Sequence, residues 1–343
     1  MKSTVLLVFA SLVSIPQLIG QPKSTLPATL QAIPMLYSPA HVGATGGIRI
    51  AADDRRFRIK NFYQNGTTKS PAYLDWRYCL TSVAADMPLL KAIVPKRDVL
   101  GIGAVAQYGR NDPGVVQKHT IRNWGLSTAY HKAIGKQGRH YLSAGLRYMR
   151  LEYDMESEIF PEVYEEANTW AASVAWLGSP ADKVSYFVSV TRQTSHDKAY
   201  WSAGREPLLG DFRKLHRTSL MAGMCVNISN AASVCVNGYY CQPNSNTIEI
   251  MNVTAYARWQ VQCKGKEPLF VYGGGQYMKM KQATGIGPSA GVSWRNVRLN
   301  TAYEIVTAYN PHVLFRSGAL ETSLVYTARN KTKPYTRLPQ TFL

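Results

Sequence analysis

Residues 251–261 read Met251-Asn252-Val253-Thr254-Ala255-Tyr256-Ala257-Arg258-Trp259-Gln260-Val261. Met251, Val253, Ala255, Ala257, Trp259 and Val261 share one parity, and Asn252, Thr254, Tyr256 and Arg258 share the other. A repeat of two is the period of an extended strand, whose successive side chains point to opposite faces. The same alternation recurs along the chain. Leu142, Ala144, Leu146 and Tyr148 oppose Ser143, Gly145 and Arg147, and Trp170, Ala172, Val174 and Trp176 form a further apolar face. Leu100, Ile102, Ala104, Ala106 and Tyr108 form another, as do Val184, Tyr186, Val188 and Val190. No segment carries a helical period of comparable strength.

The second face decides the fold class. A soluble sandwich would present Lys and Glu to water there. Here it is filled with Gly, Ser, Thr, Asn and Arg, which suits the enclosed interior of a barrel whose other face meets lipid. Trp124, Tyr130, Trp170 and Trp176 sit near strand ends, the places of interfacial girdles. The alternation predicts an all-β, antiparallel transmembrane barrel of about 14 strands, an even number that brings both chain ends to one side. The strands fall near 47–57, 72–83, 98–109, 119–133, 140–154, 167–178, 183–194, 214–228, 233–242, 248–263, 267–280, 287–295, 297–309 and 318–329. Outer loops are placed at 58–71, 110–118, 155–166 and 195–213, and an unusually long inner connection at 84–97.

Composition agrees. The chain has 343 residues with 17% charged and 11% aromatic, and a mean hydropathy of −0.19. That is too polar for helical spans, and no stretch reaches 18 apolar residues. Residues 1–20 read as a cleavable export signal, with Lys2, an apolar run to Ile15 and small Gly20 before Gln21. The remaining divisions are a periplasmic segment 21–46, a barrel 47–330 and a tail 331–343. The formal charge of +18 suits either anionic partners or a solvated surface. Its residues are scattered, so no nucleic-acid tract is formed.

The five cysteines Cys79, Cys225, Cys235, Cys241 and Cys263 lack zinc spacing and are read as free thiols packed as small apolar residues. His119, His131 and His140 lack ligand spacing, so no metal is expected. Gly101-x-Gly103 follows no βαβ pattern, and its glycines are read as relieving crowding on a lumen face. No cofactor and no catalytic constellation are expected. Glu152, Asp154, Glu156, Glu158, Glu162, Glu165 and Glu166 form an acidic stretch. It reads as a solvated outer loop, with docking of a basic partner or Ca²⁺ as the alternative.

Tyr37-Ser38-Pro39-Ala40-His41-Val42-Gly43-Ala44-Thr45-Gly46 resembles the opening motif of the PorP/SprF family. Leu100-Gly101-Ile102-Gly103, Ser127 to Lys132 and Leu142 to Leu146 resemble its later strands, and the resemblance runs in order over residues 37–228. It implies a non-enzymatic outer-membrane component of type IX protein secretion in a Bacteroidota-like Gram-negative cell, with gliding motility as a further role. The implied partners are outer-membrane lipid, the secretion ring and motor, peptidoglycan-linked periplasmic proteins, and a secreted adhesin or cargo. Docking is then expected at 37–47 and 84–97 through Pro39, Ala40, Gly43, Gly46, Pro88 and Pro95, and outside through Glu162, Glu165 and Glu166. The alternative is a transport barrel, porin-like or carrying hydrophobic ligands.

Overall fold

The computed structural model describes residues 32–63, 72–89, 98–111, 117–135, 139–157, 163–181, 183–201, 213–229, 231–242, 250–261, 268–280, 283–310 and 313–328. Residues 1–20, the tail 331–343, Pro95, Glu162 and Cys263 lie outside them.

The chain forms a closed barrel of fourteen strands, each antiparallel to its sequence neighbours. They are β1 (Ile48–Tyr63), β2 (Ala72–Leu89), β3 (Val99–Asn111), β4 (Gln117–Ile134), β5 (His140–Ser157), β6 (Val163–Ala181) and β7 (Val184–Trp201). The second half holds β8 (Arg213–Asn227), β9 (Ala232–Gln242), β10 (Ile250–Val261), β11 (Leu269–Met280), β12 (Ala283–Trp294), β13 (Val297–Asn310) and β14 (Val313–Ala328). β1 closes on β14, from Ile48 opposite Ala328 to Tyr63 opposite Val313. Closure gives every strand two partners and leaves no sheet edge, which a hydrocarbon environment requires.

Burial is inverted relative to a soluble protein. On β5 Leu146 is 57% exposed while its neighbour Arg147 is 2% exposed. Val174, Val188, Leu220, Val253 and Leu324 also face outward, and Ser143, Ser173, Ser189, Thr254 and Ser323 face in. An outward shell of large apolar residues is stable only against lipid, so this is a multi-pass outer-membrane β-barrel. On the outer wall Trp124, Tyr148 and Trp170 stack across β4, β5 and β6, with ring centroids 5.9 and 4.9 Å apart. Six residues further along β6, Trp176 donates to the Tyr186 hydroxyl at 3.1 Å. These are the two aromatic girdles. Val174 lies between them, and Val174→Arg is expected to cost about 2–4 kcal/mol, read by urea unfolding in bilayers.

Both barrel termini, Ile48 and Ala328, lie at the end that carries the connections 135–139, 182–183, 228–231 and 295–296, and the longest connection, 202–212, lies at the other end. Short turns mark the periplasmic end of such barrels. At the opposite end several strands run further than the alternation suggested. β5 continues to Ser157 and β6 starts at Val163, so most of the expected loop 155–166 is barrel wall. At the inner end β2 continues to Leu89, and Pro88 pairs in register with Gly101. The expected long connection 84–97 is therefore largely strand at its start, and Pro88 is part of the wall.

One cysteine expectation is corrected. Cys225 and Cys235 are joined by a disulfide between β8 and β9, where they stand directly opposite each other. Cysteine spacing along the sequence is blind to a partner set by register across strands. Cys79 and Cys241 are free. Under denaturing conditions Cys225 and Cys235 should resist a thiol reagent until reductant is added, as read by peptide mass.

Candidate functional site

The site is the lumen, and its main occupant is the chain itself. Residues 32–47 fold back into the barrel instead of projecting into the periplasm. Pro34–Leu36 and Pro39–His41 form two 3-10 turns, each opened by a proline that fits the first helical position. Ala32, Ile33, Met35, Ala40 and Val42 are wholly inaccessible. They pack against lumen-facing Ala84, Val105, Tyr141, Met149, Leu177, Phe187 and Met221. Tyr37 meets Tyr239 edge-on at 5.3 Å.

Polar wall residues anchor this plug through its backbone. Buried Arg147 donates to the carbonyls of Met35, at 2.9 Å, and of Leu36. The Ala40 amide donates to Ser173 Oγ at 2.7 Å, and the Gly43 amide to Asp86 Oδ2 at 2.8 Å. Asp86 also takes Arg49 Nε at 2.7 Å and Arg49 Nη2 at 3.1 Å. His131 Nε2 lies 2.7 Å from the Val42 carbonyl, and its Nδ1 lies 2.7 Å from Ser143 Oγ. A carbonyl only accepts, so Nε2 carries a proton and a neutral ring takes the Ser143 hydroxyl at Nδ1. These bonds match the plug's backbone groups, which burial would otherwise leave unsatisfied.

Two wall glycines give the plug its room. A Cβ on Gly101 would stand 2.0 Å from the Val42 carbonyl oxygen. A Cβ on Gly145 would stand 2.4 Å from the backbone of Pro39 and Ala40. Gly43 crosses at this contact with φ +73°, a conformation glycine adopts without strain.

His41 lies at the foot of the plug, edge-on to Phe187 at 4.9 Å. Burial, then the neighbouring His131 and Arg49, push it down from 6.5 to about 3. Released from the lumen, it would bind a proton near pH 6.5. Docked, it stays neutral until about pH 3. The docked state therefore keeps this contribution above about pH 6.5 and loses it as pH falls toward 3. Protease cleavage within 32–46 is expected to rise over that interval, and His41→Gln should flatten the rise.

Two further apolar patches line the lumen. Tyr78, Ile121 and Tyr153, with Leu80 and Leu151, cluster toward the outer mouth. Tyr256, Tyr272 and Phe270 pack with the disulfide near the periplasmic end. Between them runs polar wall, where Asn123 donates to Gln107 at 2.9 Å and Gln107 to Ser82 at 3.0 Å. Among the described residues no group of three His, Cys, Asp or Glu is placed to hold a metal. His140 contacts Tyr186 and Trp176 at the inner girdle.

The expected docking residues are redistributed. Pro39, Ala40 and Gly43 are buried in the lumen, Gly46 is half-buried at the entry to β1, and Pro88 is in β2. Pro39, Ala40 and Gly43 offer no periplasmic surface in this conformation. Glu165 is in β6, and Glu166 pairs with Arg150 on the barrel's outer wall. Asp154 faces Arg122 at 3.6 Å. Glu152, Asp154 and Glu166 of the acidic stretch are thus matched by arginines within the wall. Sequence reasoning missed Arg147, Asp86, His131 and Ser173. Their only signal was a polar residue on the inward parity, which dozens of others share.

The fold defines a class: an outer-membrane barrel that holds its own N-terminal segment in the lumen. No protein-family model matches the chain, and no curated protein matches it. Solved structures do match. A Pseudomonas aeruginosa FadL homologue is 10% identical, with a TM-score of 0.51 over 84% of this chain and 92% of its own. The Ralstonia pickettii toluene transporter TbuX is 10% identical, with a TM-score of 0.50 over 89% and 98%. A variant of the TodX monoaromatic hydrocarbon channel is 8% identical, with a TM-score of 0.54 over 88% and 92%. At these identities the likeness is one of fold.

The secretion role is corrected here, together with gliding. The barrels that share this fold are described as transporters and channels for hydrocarbons, and the segment expected to dock secretion partners fills the lumen.

Proposed function

We propose that the barrel admits small hydrophobic molecules across the outer membrane, by passage without chemistry, under the control of the lumen plug. The observation that carries this reading is the apolar surface inside the barrel. Tyr78, Leu80, Ile121, Leu151 and Tyr153 offer an apolar landing place near the outer mouth. Deeper in, Ile33, Met35, Leu36 and Val42 of the plug pack on Met149, Phe187 and Met221, apolar surface that a solute meets when the plug moves aside. A hydrophobic solute leaving water gains free energy in proportion to the apolar area it buries on such surfaces. A hydrated sugar or ion gains nothing from such apolar surface. The hydrocarbon transporters of like fold support the same reading. The PorP/SprF resemblance over 37–228 is kept as a proposal of ancestry and carries no secretion role.

Uptake by intact cells tests it, because the glycolipid outer leaflet is the barrier that such solutes must cross. Cells expressing the barrel should take up a radiolabelled monoaromatic hydrocarbon or long-chain fatty acid several-fold faster than cells without it, with sugar uptake unchanged. Faster sugar uptake with unchanged hydrocarbon uptake would reject the proposal.

A further inference from the structure

Arg147 carries a charge that the plug does not match. Its side chain enters the lumen from β5 and is buried. Elsewhere in the lumen Arg49 pairs with Asp86 at 2.7 Å, and Arg55 with Glu304 at 3.1 Å. Arg147 has no such carboxylate among the described residues, and the titratable groups facing it are the phenols of Tyr37 and Tyr239. Its Nη1 donates to the carbonyls of Met35 and Leu36, while its Nε finds no acceptor. Ser127 stands directly opposite on β4. It is buried as well, and its hydroxyl has no partner. A buried cation without a counter-ion is costly, and its bonds to an anion are about twice as strong as bonds to neutral acceptors.

The wall above Arg147 is apolar. Along β5 the lumen-facing positions run outward from Arg147 through Met149 and Leu151 to Tyr153, a rise of roughly 20 Å at the spacing of a strand. Leu151 and Tyr153 belong to the patch at the outer mouth, and Met149 to the core around the plug. Small residues flank this track, since Gly125 on β4 stands opposite Met149 and Ala171 on β6 stands opposite Arg147. A solute entering from outside meets apolar wall first. It meets a cation at the foot of that wall, where Met35 and Leu36 of the plug are seated. Taking the barrel as a route for hydrophobic molecules, on which this seat depends, we propose that Arg147 and Ser127 receive the carboxylate of an apolar monocarboxylate. Its body lies along Met149, Leu151 and Tyr153. The guanidinium fork takes both carboxylate oxygens. In binding, the solute replaces the Met35 and Leu36 carbonyls and frees that end of the plug.

Equilibrium binding to the purified full-length barrel in lipid nanodiscs tests this. The probes are octanoate and benzoate, their neutral amides octanamide and benzamide, and inorganic phosphate. Chymotrypsin cleavage after Tyr37, which is buried in the docked plug, reports release. At least one carboxylate should bind about ten-fold more tightly than its amide, the margin between a charged and a neutral hydrogen bond. The same carboxylate should speed cleavage, and the tighter of the two acids tells whether the body is alkyl or aryl. Arg147→Gln should erase the preference for the acid, and Arg147→Lys should keep part of it. Arg122→Gln on the outer wall should leave it unchanged, and heat-modifiable gel mobility should report folded barrels. If Arg147→Gln fails to fold, the comparison of acid with amide on the native chain still decides. The proposal is overturned if neither acid binds more tightly than its amide, or if folded Arg147→Gln keeps the preference. It is equally overturned if phosphate binds as tightly as the carboxylates, or if they bind without speeding cleavage. Binding is read apart from uptake by cells, so such a failure leaves the route for neutral hydrocarbons standing.

Discussion

A barrel carrying Gly101→Val and Gly145→Val is expected to conduct ions in a planar bilayer, where the native barrel stays closed. The reason is steric. A Cβ at 101 would stand 2.0 Å from the Val42 carbonyl oxygen, and one at 145 would stand 2.4 Å from the backbone of Pro39 and Ala40. Those neighbours are backbone atoms, so no side-chain rotation relieves the overlap. The strands cannot yield either. Gly145 pairs with Ala129 on one side and Ser173 on the other inside a closed sheet. Valine is also a good strand residue, so the wall should survive and the plug should leave. Single-channel current measures the outcome, and a folded double variant that stays silent would contradict it. A Cβ on Gly135 would meet nothing within 4 Å. That glycine, in the turn after β4, is the control, and Gly135→Asn should leave the channel shut.

Asp86→Ala is expected to cost about 3–5 kcal/mol, the largest single-residue loss in the plug region. Arg49 and Asp86 are 2% and 3% exposed. Removing the carboxylate strands a buried guanidinium, which is the costly way to break such a pair. It also takes the acceptor from the Gly43 amide. Asp86→Asn keeps an acceptor oxygen and should lose less. Urea unfolding in lipid bilayers, followed by tryptophan fluorescence, measures the difference. Equal stability of both variants with the native chain would remove the pair from the account of how the plug is held.

The barrel was legible in the sequence because its cause is local. Each strand must show lipid a large apolar residue at every second position, and 251–261 or 167–178 carry that demand in full. Strand number followed from counting such runs. Strand ends followed less well, because beyond the upper girdle Arg150, Glu152 and Asp154 replace the apolar residues while the backbone pairing continues. Polarity ends there and the ladder does not. The plug was not legible. Pro34 and Pro39 mark turns, but nothing in Tyr37 to Gly46 says which compartment the turns occupy. That information lies in contacts with Arg147, Ser173 and His131, more than 80 residues away. The disulfide was hidden for the same reason, since the facing of Cys225 and Cys235 depends on the β8–β9 register. The pairing of Asp154 with Arg122 and of Glu166 with Arg150 was hidden likewise, since those partners lie on other strands.

Residues 32–46 sit inside the barrel, packed against its inner wall. The most direct test joins plug to wall. Ala40 and Ser173 touch, with the Ala40 amide 2.7 Å from the Ser173 hydroxyl. Ala40→Cys with Ser173→Cys, in a chain also carrying Cys79→Ser and Cys241→Ser, should oxidise to a cross-link in native membranes. Trypsin would then release residues 24–49 joined to residues 151–183 as one disulfide-linked mass. Recovery of that species from folded, oxidised barrels is the predicted result. Two separate peptides from a correctly folded, oxidised barrel would place the segment outside the lumen and contradict the account.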